Sequence, residues 1–175
     1  FMSSFNTPLV AHECAHQWFG DKVTCGSWQD IWLNEGFATY FEGLTAKRLF
    51  PATWHDWLQQ KKSGIIAQPG GSVWCDDTTS VSRIFDGRLS YSKGAYLLHM
   101  LRWTLGDSLF FQSLKNYLND PQIAYSFGTT QKLKTHLENT GGKDLTIFFD
   151  QWYYKQGFPT YDIGWEYKEG VVTVL

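Results

Sequence analysis

The stretch AHECAHQWFG, residues 11–20, decides the fold of this chain and carries its clearest chemical pattern. It places His12 and His16 four positions apart, with Glu13 beside the first histidine. On an α-helix, residues i and i+4 lie within about 40° of each other around the axis, so both imidazoles project from one face. Two imidazoles one turn apart can reach a single zinc ion at about 2.0–2.1 Å. The stretch therefore predicts a helix that presents two metal ligands, with Glu13 placed as a general base.

A third ligand is predicted from a second stretch, WLNEGFATYFE, residues 32–42. Glu35 comes nineteen residues after His16, near the start of a predicted helix that could fold back along the first one. Two histidines and one carboxylate, with a fourth position open for water, form a set typical of catalytic zinc. The sequence thus predicts one Zn²⁺ per chain, although cobalt or nickel would also suit these ligands.

Glu42 is a candidate for the outer partner of a metal-bound histidine. It follows Glu35 at i+7 and so lies on the same helical face. A histidine that binds zinc usually donates its other ring N–H to a carboxylate or carbonyl group. From the spacing alone, a solvated helical carboxylate explains Glu42 equally well.

The remaining pattern is mainly helical, with capping residues and apolar periodicity marking most segments. Residues 69–90 are predicted to form a long irregular connection. The tail changes to period-two alternation around Glu169 and Gly170, which predicts a β hairpin. The predicted helices span approximately residues 8–19, 31–49, 53–67, 91–105, 107–118, 129–139 and 144–156.

Composition excludes several classes of protein. The 175 residues are 43% hydrophobic and 18% aromatic, enough for a packed core. A net charge of −2 with scattered lysines and arginines argues against nucleic-acid binding. No apolar run is long enough to predict a membrane span. Three cysteines, Cys14, Cys25 and Cys75, without a CxxC motif argue against a disulfide framework and against a four-cysteine zinc site.

The beginning of the chain, FMSSFN, lacks the basic region and the apolar stretch that a signal peptide has. Because residue 1 is Phe rather than Met, we expect the sequence to be part of a longer protein. A targeting segment would then lie outside it, and the compartment stays open.

Taken together, HECAHQWFGDKVT (12–24) and WQDIWLNEGFATYFE (28–42) resemble the aminopeptidase N family of zinc metallopeptidases. These gluzincins carry H-E-x-x-H, 18 intervening residues and then Glu, which is the spacing found here. YSKGAYLLHMLR (91–102) and FFDQWYYKQGFP (148–159) resemble later segments of the family's catalytic domain, so the similarity covers nearly the whole chain.

The resemblance implies a mainly α fold, the helical subdomain of a thermolysin-like metallopeptidase catalytic domain with a short C-terminal β hairpin. Residues 1–158 would be the helical part, and residues 159–175 would be the hairpin that starts a following domain. The partners implied are a peptide substrate and the N-terminal and C-terminal domains of the same protein, which these residues do not include.

Individual roles also follow from the resemblance. It implies that the three ligand residues named above hold the zinc and that Glu13 is the general base. It further implies that Tyr91 donates a hydrogen bond to the oxyanion and that Glu42 stands behind the metal. The family's Gly-x-Met-Glu-Asn segment, whose glutamate binds the substrate's amino terminus, is not spelled here. Substrate-binding residues therefore stay unassigned, and we expect the isolated chain to be inactive or weakly active.

The function expected is zinc-dependent hydrolysis of peptide bonds that removes N-terminal amino acids. The first alternative is a non-catalytic metal-binding or scaffold domain that retains the fold. The complete set of ligands, base and tyrosine favours an enzyme, because a decayed relative would have lost at least one of them. A further alternative is epoxide hydrolysis, which one branch of the family performs.

Overall fold

Two helices that pack against each other, α1 (Thr7–Ala15) and α2 (Trp32–Leu49), form the centre of the fold in the computed structural model, which describes residues 6–174. Asn6 caps α1, accepting a hydrogen bond from the Leu9 amide at 3.4 Å. Pro8 lies in the first turn, where a missing N–H costs nothing.

α1 ends four residues before the predicted Phe19. The chain turns after Ala15, and Phe19 forms a bridge with Val23. Extended pairing therefore replaces the last predicted turn of the helix. His16 still lies at the cap of α1 with helical backbone angles, so it keeps its one-turn relation to His12.

A short parallel strand pair, not predicted from the sequence, holds the connection between α1 and α2. β1 (Val23–Cys25) pairs with β2 (Ser126–Gly128). Strands of three residues are too short for period-two alternation to stand out.

The same connection is tied to distant parts of the chain by Asp30. Its Oδ1 accepts hydrogen bonds from the Thr130 hydroxyl at 2.5 Å and the Tyr153 hydroxyl at 2.7 Å. The Trp32 indole also donates to the Thr130 hydroxyl at 2.8 Å. Residues about one hundred positions away in sequence thus complete the loop that precedes α2.

The other helices agree with prediction to within a few residues, apart from two segments. The predicted irregular connection contains the short helix α4 (Val81–Ile84) and runs into a π-helical segment, Gly87–Lys93, which precedes α5 (Gly94–Leu105). The predicted last helix divides into α8 (Thr146–Phe149) and a second π-helical segment, Asp150–Tyr154. The remaining helices are α3 (Trp54–Ile66), α5 (Gly94–Leu105), α6 (Asp107–Asn119), α7 (Thr130–Gly141) and α8 (Thr146–Phe149), with 3-10 turns at Trp28–Asp30 and Pro51–Thr53.

Side-chain caps explain why two parts of the connection that was predicted to be irregular are helical. The Ser80 hydroxyl accepts from the Arg83 amide at 3.3 Å. Asp86 accepts from the amides of Arg88 and Leu89, both at 2.8 Å. Each cap satisfies amide groups that would otherwise be unpaired at a helix start.

The tail forms the predicted hairpin. β3 (Trp165–Lys168) pairs antiparallel with β4 (Val171–Val174), and Glu169 and Gly170 both have positive φ in the two-residue turn between them. This geometry matches the twist of a hairpin. That the hairpin starts a following domain stays a prediction, and residues 1–5 and 175 of the two predicted ranges lie outside the described residues.

The core is built on the apolar face of α2, whose Trp32, Phe37 and Tyr40 are fully buried. Leucines of α5 and aromatic residues of α6 and the C-terminal π-helical segment complete it: Leu97, Leu98, Leu101, Phe110, Tyr117 and Tyr153. Among the helices of residues 6–174, none has the length and apolar character needed to cross a bilayer.

A pair of glycines lets α2 lie against the start of α5. A Cβ on Gly36 would be 3.0 Å from the carbonyl carbon of Gly94 and 3.1 Å from its Cα, and backbone cannot move aside cheaply. Gly36 is adjacent to Glu35, so this approach also sets the position of the predicted ligand.

We expect Gly36→Ala to lower the free energy of unfolding by about 1–3 kcal/mol relative to Gly64→Ala, because the added methyl group overpacks the helix contact. Gly64 also lies within a helix, and a Cβ there would meet nothing within 4 Å. Gly64→Ala therefore reports helix propensity alone, with an expected gain of roughly 0.5–1 kcal/mol. Urea unfolding measures both, and equal values for the two variants would contradict the close packing.

Candidate metal centre

Side-chain atoms of His12, His16 and Glu35 converge where α1 faces the first turn of α2. Glu35 Oε2 lies 3.3 Å from His12 Nε2 and 3.5 Å from His16 Nε2. One donor atom of each residue lies within 4.8 Å of the other two, which makes the group a candidate for holding a metal ion. His12 lies on α1, His16 lies at its C-terminal cap, and Glu35 lies on α2.

The distances suit a tetrahedral zinc ion. With metal–ligand bonds of about 2.0–2.1 Å, two ligands of a tetrahedron lie about 3.3–3.4 Å apart. Both distances from Glu35 to the histidines are close to that value. Two imidazoles and one carboxylate are also the ligand types that catalytic zinc sites use.

Both imidazoles have an acceptor near the ring nitrogen that points away from Glu35. His16 Nδ1 lies 3.1 Å from the Phe19 carbonyl oxygen. His12 Nδ1 lies 3.7 Å from Glu42 Oε2, too far for a strong hydrogen bond but close enough for an ion pair. An acceptor at Nδ1 favours the tautomer that leaves Nε2 free to bind a metal.

The contact between His16 and Phe19 depends on the tight turn after α1. A Cβ on Gly20 would lie 2.8 Å from the His16 carbonyl oxygen and 3.3 Å from its Nδ1. Only glycine therefore allows the chain to double back so close to the His16 ring. Gly20, the last residue of the WFG stretch, thus has a steric role at the site.

The charges of the cluster stabilise one another. Burial alone would raise the pKa of Glu35, but the hydrogen bonds from His12 and His16 outweigh it and lower the pKa to about 2. Glu35, followed by Glu42, raises the pKa of His12 to about 9. Glu35 is also the main cause of the raised pKa of His16. The carboxylate is consequently ionised at neutral pH and is ready to bind a cation.

Glu13 and Tyr91 line the same cavity as the three ligand residues, and its volume is about 670 Å³. Glu13 is exposed to solvent on α1, next to His12. Tyr91 lies on the π-helical segment, and its ring stacks near the His12 ring with centroids 6.0 Å apart and planes at 12°. Burial, with the charge of Glu35, raises the pKa of Tyr91 to about 12, so its hydroxyl stays a hydrogen-bond donor.

Tyr91 could not be chosen among nine tyrosines from composition or spacing. Only the resemblance of its segment to a family pattern indicated it. The structure adds a physical marker, since π-helical turns often occur at functional sites. Sequence reasoning missed two further residues beside Glu42, Trp57 and Lys61, because a tryptophan and a lysine on an amphipathic helix carry no motif.

Comparison with known proteins places this arrangement in a class. The model of the "Peptidase family M1 domain" matches residues 3–152. A solved M1 zinc metallopeptidase mutant from Deinococcus radiodurans, bound to a Tyr-Ser-Ala substrate, is 30% identical with a TM-score of 0.78 and covers 90% of this chain. The fold is thus that of the helical part of a metallopeptidase domain. The chain belongs to peptidase family M1.

Curated relatives agree with this assignment. Aminopeptidase M1-A of Oryza sativa subsp. japonica is 36% identical over 162 residues, which are 89% of this chain. Aminopeptidase N of Lactococcus lactis subsp. lactis is 34% identical over 163 residues. The chain spans only 18% and 19% of the lengths of these two relatives, and 35% of the Deinococcus chain.

The ion pairs of the cluster predict a pH-dependent stability for the chain in EDTA. Because His12 has a pKa of about 9 when folded against 6.5 when unfolded, its contribution is complete below pH 6.5 and is lost as the pH rises through 9. Because Glu35 has a folded pKa of about 2 against 4.5, its contribution is present above pH 4.5 and is lost as the pH falls through 2.

We therefore expect the stability of the wild type relative to Glu35→Gln to be greatest between pH 4.5 and 6.5 and to decline towards pH 9. Urea unfolding at pH 5.5, 7 and 9 measures the difference. A difference that stays constant over this range would show that the charges do not interact as the geometry indicates.

Proposed function

We propose that this chain is the helical half of the catalytic domain of a zinc-dependent aminopeptidase, and that His12, His16 and Glu35 hold one Zn²⁺. The observation that carries the proposal is the convergence of two imidazoles on one carboxylate oxygen, at 3.3 and 3.5 Å from their Nε2 atoms, with an acceptor near each Nδ1. A scaffold domain that had lost its metal would have no reason to keep three desolvated polar groups in this geometry.

The bound ion would act as a Lewis acid that polarises the scissile carbonyl and acidifies water. Glu13 would be the general base, taking a proton from the attacking water and passing it to the leaving amine. Its place on α1 beside His12, in the wall of the cavity, supports this role.

Tyr91 would donate its hydroxyl hydrogen to the negative oxygen of the tetrahedral intermediate. Its position near the His12 ring and its raised pKa support this role, because a phenol that stays protonated can donate throughout the reaction. A donor of this kind stabilises the transition state by roughly 3–4 kcal/mol.

The substrate class is inferred from the relatives, which are named as aminopeptidases, and from the Deinococcus enzyme with its bound tripeptide. Hydrolysis restricted to the first residue requires a group that binds the substrate's free amino terminus. We assign no residue of this chain to that task. We propose that residues beyond these 175 supply it, and that residues 1–158 belong to the catalytic domain while 159–175 begin another.

We expect His16→Ala to reduce zinc from one equivalent per chain to a small fraction, because one of three protein ligands is removed. His55→Ala is the matched control, since His55 is exposed on α3 away from the cluster. Metal analysis after dialysis measures the stoichiometry. A His16→Ala protein that keeps a full equivalent of zinc would refute the ligand assignment.

We expect Glu13→Gln in the full-length gene product to keep zinc and lose hydrolysis of aminoacyl reporter substrates by about 10²–10⁴-fold, the usual size of general-base catalysis. Glu166→Gln, on the exposed hairpin, removes a similar charge far from the cavity and should leave the rate unchanged. Normal turnover by the Glu13 variant would exclude the residue as the base.

A further inference from the structure

The carboxylate of Glu42 lies between His12 on one side and Trp57 and Lys61 on the other. Its Oε2 faces His12 Nδ1 at 3.7 Å. Its Oε1 accepts a hydrogen bond from the Trp57 indole N–H at 3.4 Å and lies 4.0 Å from Lys61 Nζ. The side of Glu42 away from the proposed zinc is therefore occupied by two donors from α3.

Trp57 is fixed in its position by its surroundings. Its side chain is 9% exposed, and its ring stacks on Trp54 with centroids 5.2 Å apart and planes at 8°. The Lys61 ammonium lies 5.4 Å from the centre of the Trp57 ring, within cation–π range. Lys61 thus contacts both the indole and the carboxylate to which the indole donates.

Gly43 makes this placement possible. A Cβ at this position of α2 would lie 2.6 Å from two atoms of the Trp57 ring, well inside van der Waals contact. Gly43 directly follows Glu42, so the indole can approach α2 closely at the point where its N–H reaches the carboxylate. Any side chain here would push the ring away from Glu42.

We infer that Trp57 and Lys61 are positioning residues for the metal centre: they orient the Glu42 carboxylate so that its second oxygen faces His12 Nδ1. A carboxylate near His12 Nδ1 fixes the ring orientation and strengthens the imidazole as a ligand. Without donors at Oε1, the carboxylate of Glu42 is free to rotate away from His12. The inference rests on the proposed zinc site, and it means that residues of α3 contribute to the affinity of that site for zinc.

The test is the zinc dissociation constant of the full-length gene product, measured by competition with a chromogenic chelator. Trp57→Phe keeps the stacked ring and removes the N–H. We expect it to weaken zinc binding by about 3–10-fold, less than the roughly 10–100-fold typical of direct outer partners. Trp54→Phe is the matched control, because Trp54 belongs to the same stack but no hydrogen bond joins it to Glu42 among the described residues.

Two further variants address the same contacts independently of the indole N–H. Gly43→Ala should displace the Trp57 ring and weaken zinc binding by a similar factor, whereas Gly64→Ala should not change it. Lys61→Met keeps an apolar side chain over the ring and removes the charge, so it should also weaken zinc binding. Lys61→Arg keeps the charge and should bind zinc as the wild type does. Far-ultraviolet circular dichroism confirms that each variant is folded.

Substitution with cobalt gives a readout that a loss of general stability would not produce. The visible absorption of Co²⁺ depends on ligand geometry, and we expect it to shift in Trp57→Phe and not in Trp54→Phe. The inference would be overturned if Trp57→Phe and Lys61→Met had the same zinc affinity and the same cobalt spectrum as Trp54→Phe. That result, with zinc bound by the wild type, would leave the proposed function intact, whereas a wild type that binds no zinc would overturn both.

Discussion

The contact between Glu35 and the two histidines of α1 is the interaction on which the site depends. It partly buries a carboxylate and two imidazoles, a step that is costly unless each group finds a partner. Glu35 provides that partner for both histidines, while Glu42 and the Phe19 carbonyl face their other ring nitrogens. The polar groups of the site are therefore arranged by one another before any ligand is considered.

Helix α2 connects this arrangement to the hydrophobic core. One face of the helix buries Trp32, Phe37 and Tyr40 in the core, so the helix cannot rotate without losing that packing. Gly36, next to Glu35, lets the helix approach the start of α5. The π-helical segment directly before α5 carries Tyr91, so the core contact that positions the carboxylate also positions the tyrosine. Precision at the cavity is thus a property of the packing behind it.

The proximity of His12, His16 and Glu35 could be predicted because it depends on short stretches of sequence. A four-residue spacing on a helix fixes the relation between His12 and His16, and the length of the connection allows Glu35 to fold back onto them. Features that leave no periodic pattern or motif in the sequence could not be predicted. The early end of α1 follows from the bridge between Phe19 and Val23, and β1 is defined by a partner strand about one hundred residues later. The π-helical segment at Gly87–Lys93 follows from its cap at Asp86, which gave no periodic signal.

The hydrogen bonds of Asp30 have a consequence for how the centre is assembled. The loop that separates His16 from Glu35 takes its final form only when Asp30 meets Thr130 and Tyr153, which are 100 and 123 residues further along the chain. Closing so long a loop has a large entropic cost and slows folding. During synthesis, His12, His16 and Glu35 leave the ribosome well before the residues that secure the loop between them, so the arrangement of the three side chains is completed only after Thr130 and Tyr153 have been added.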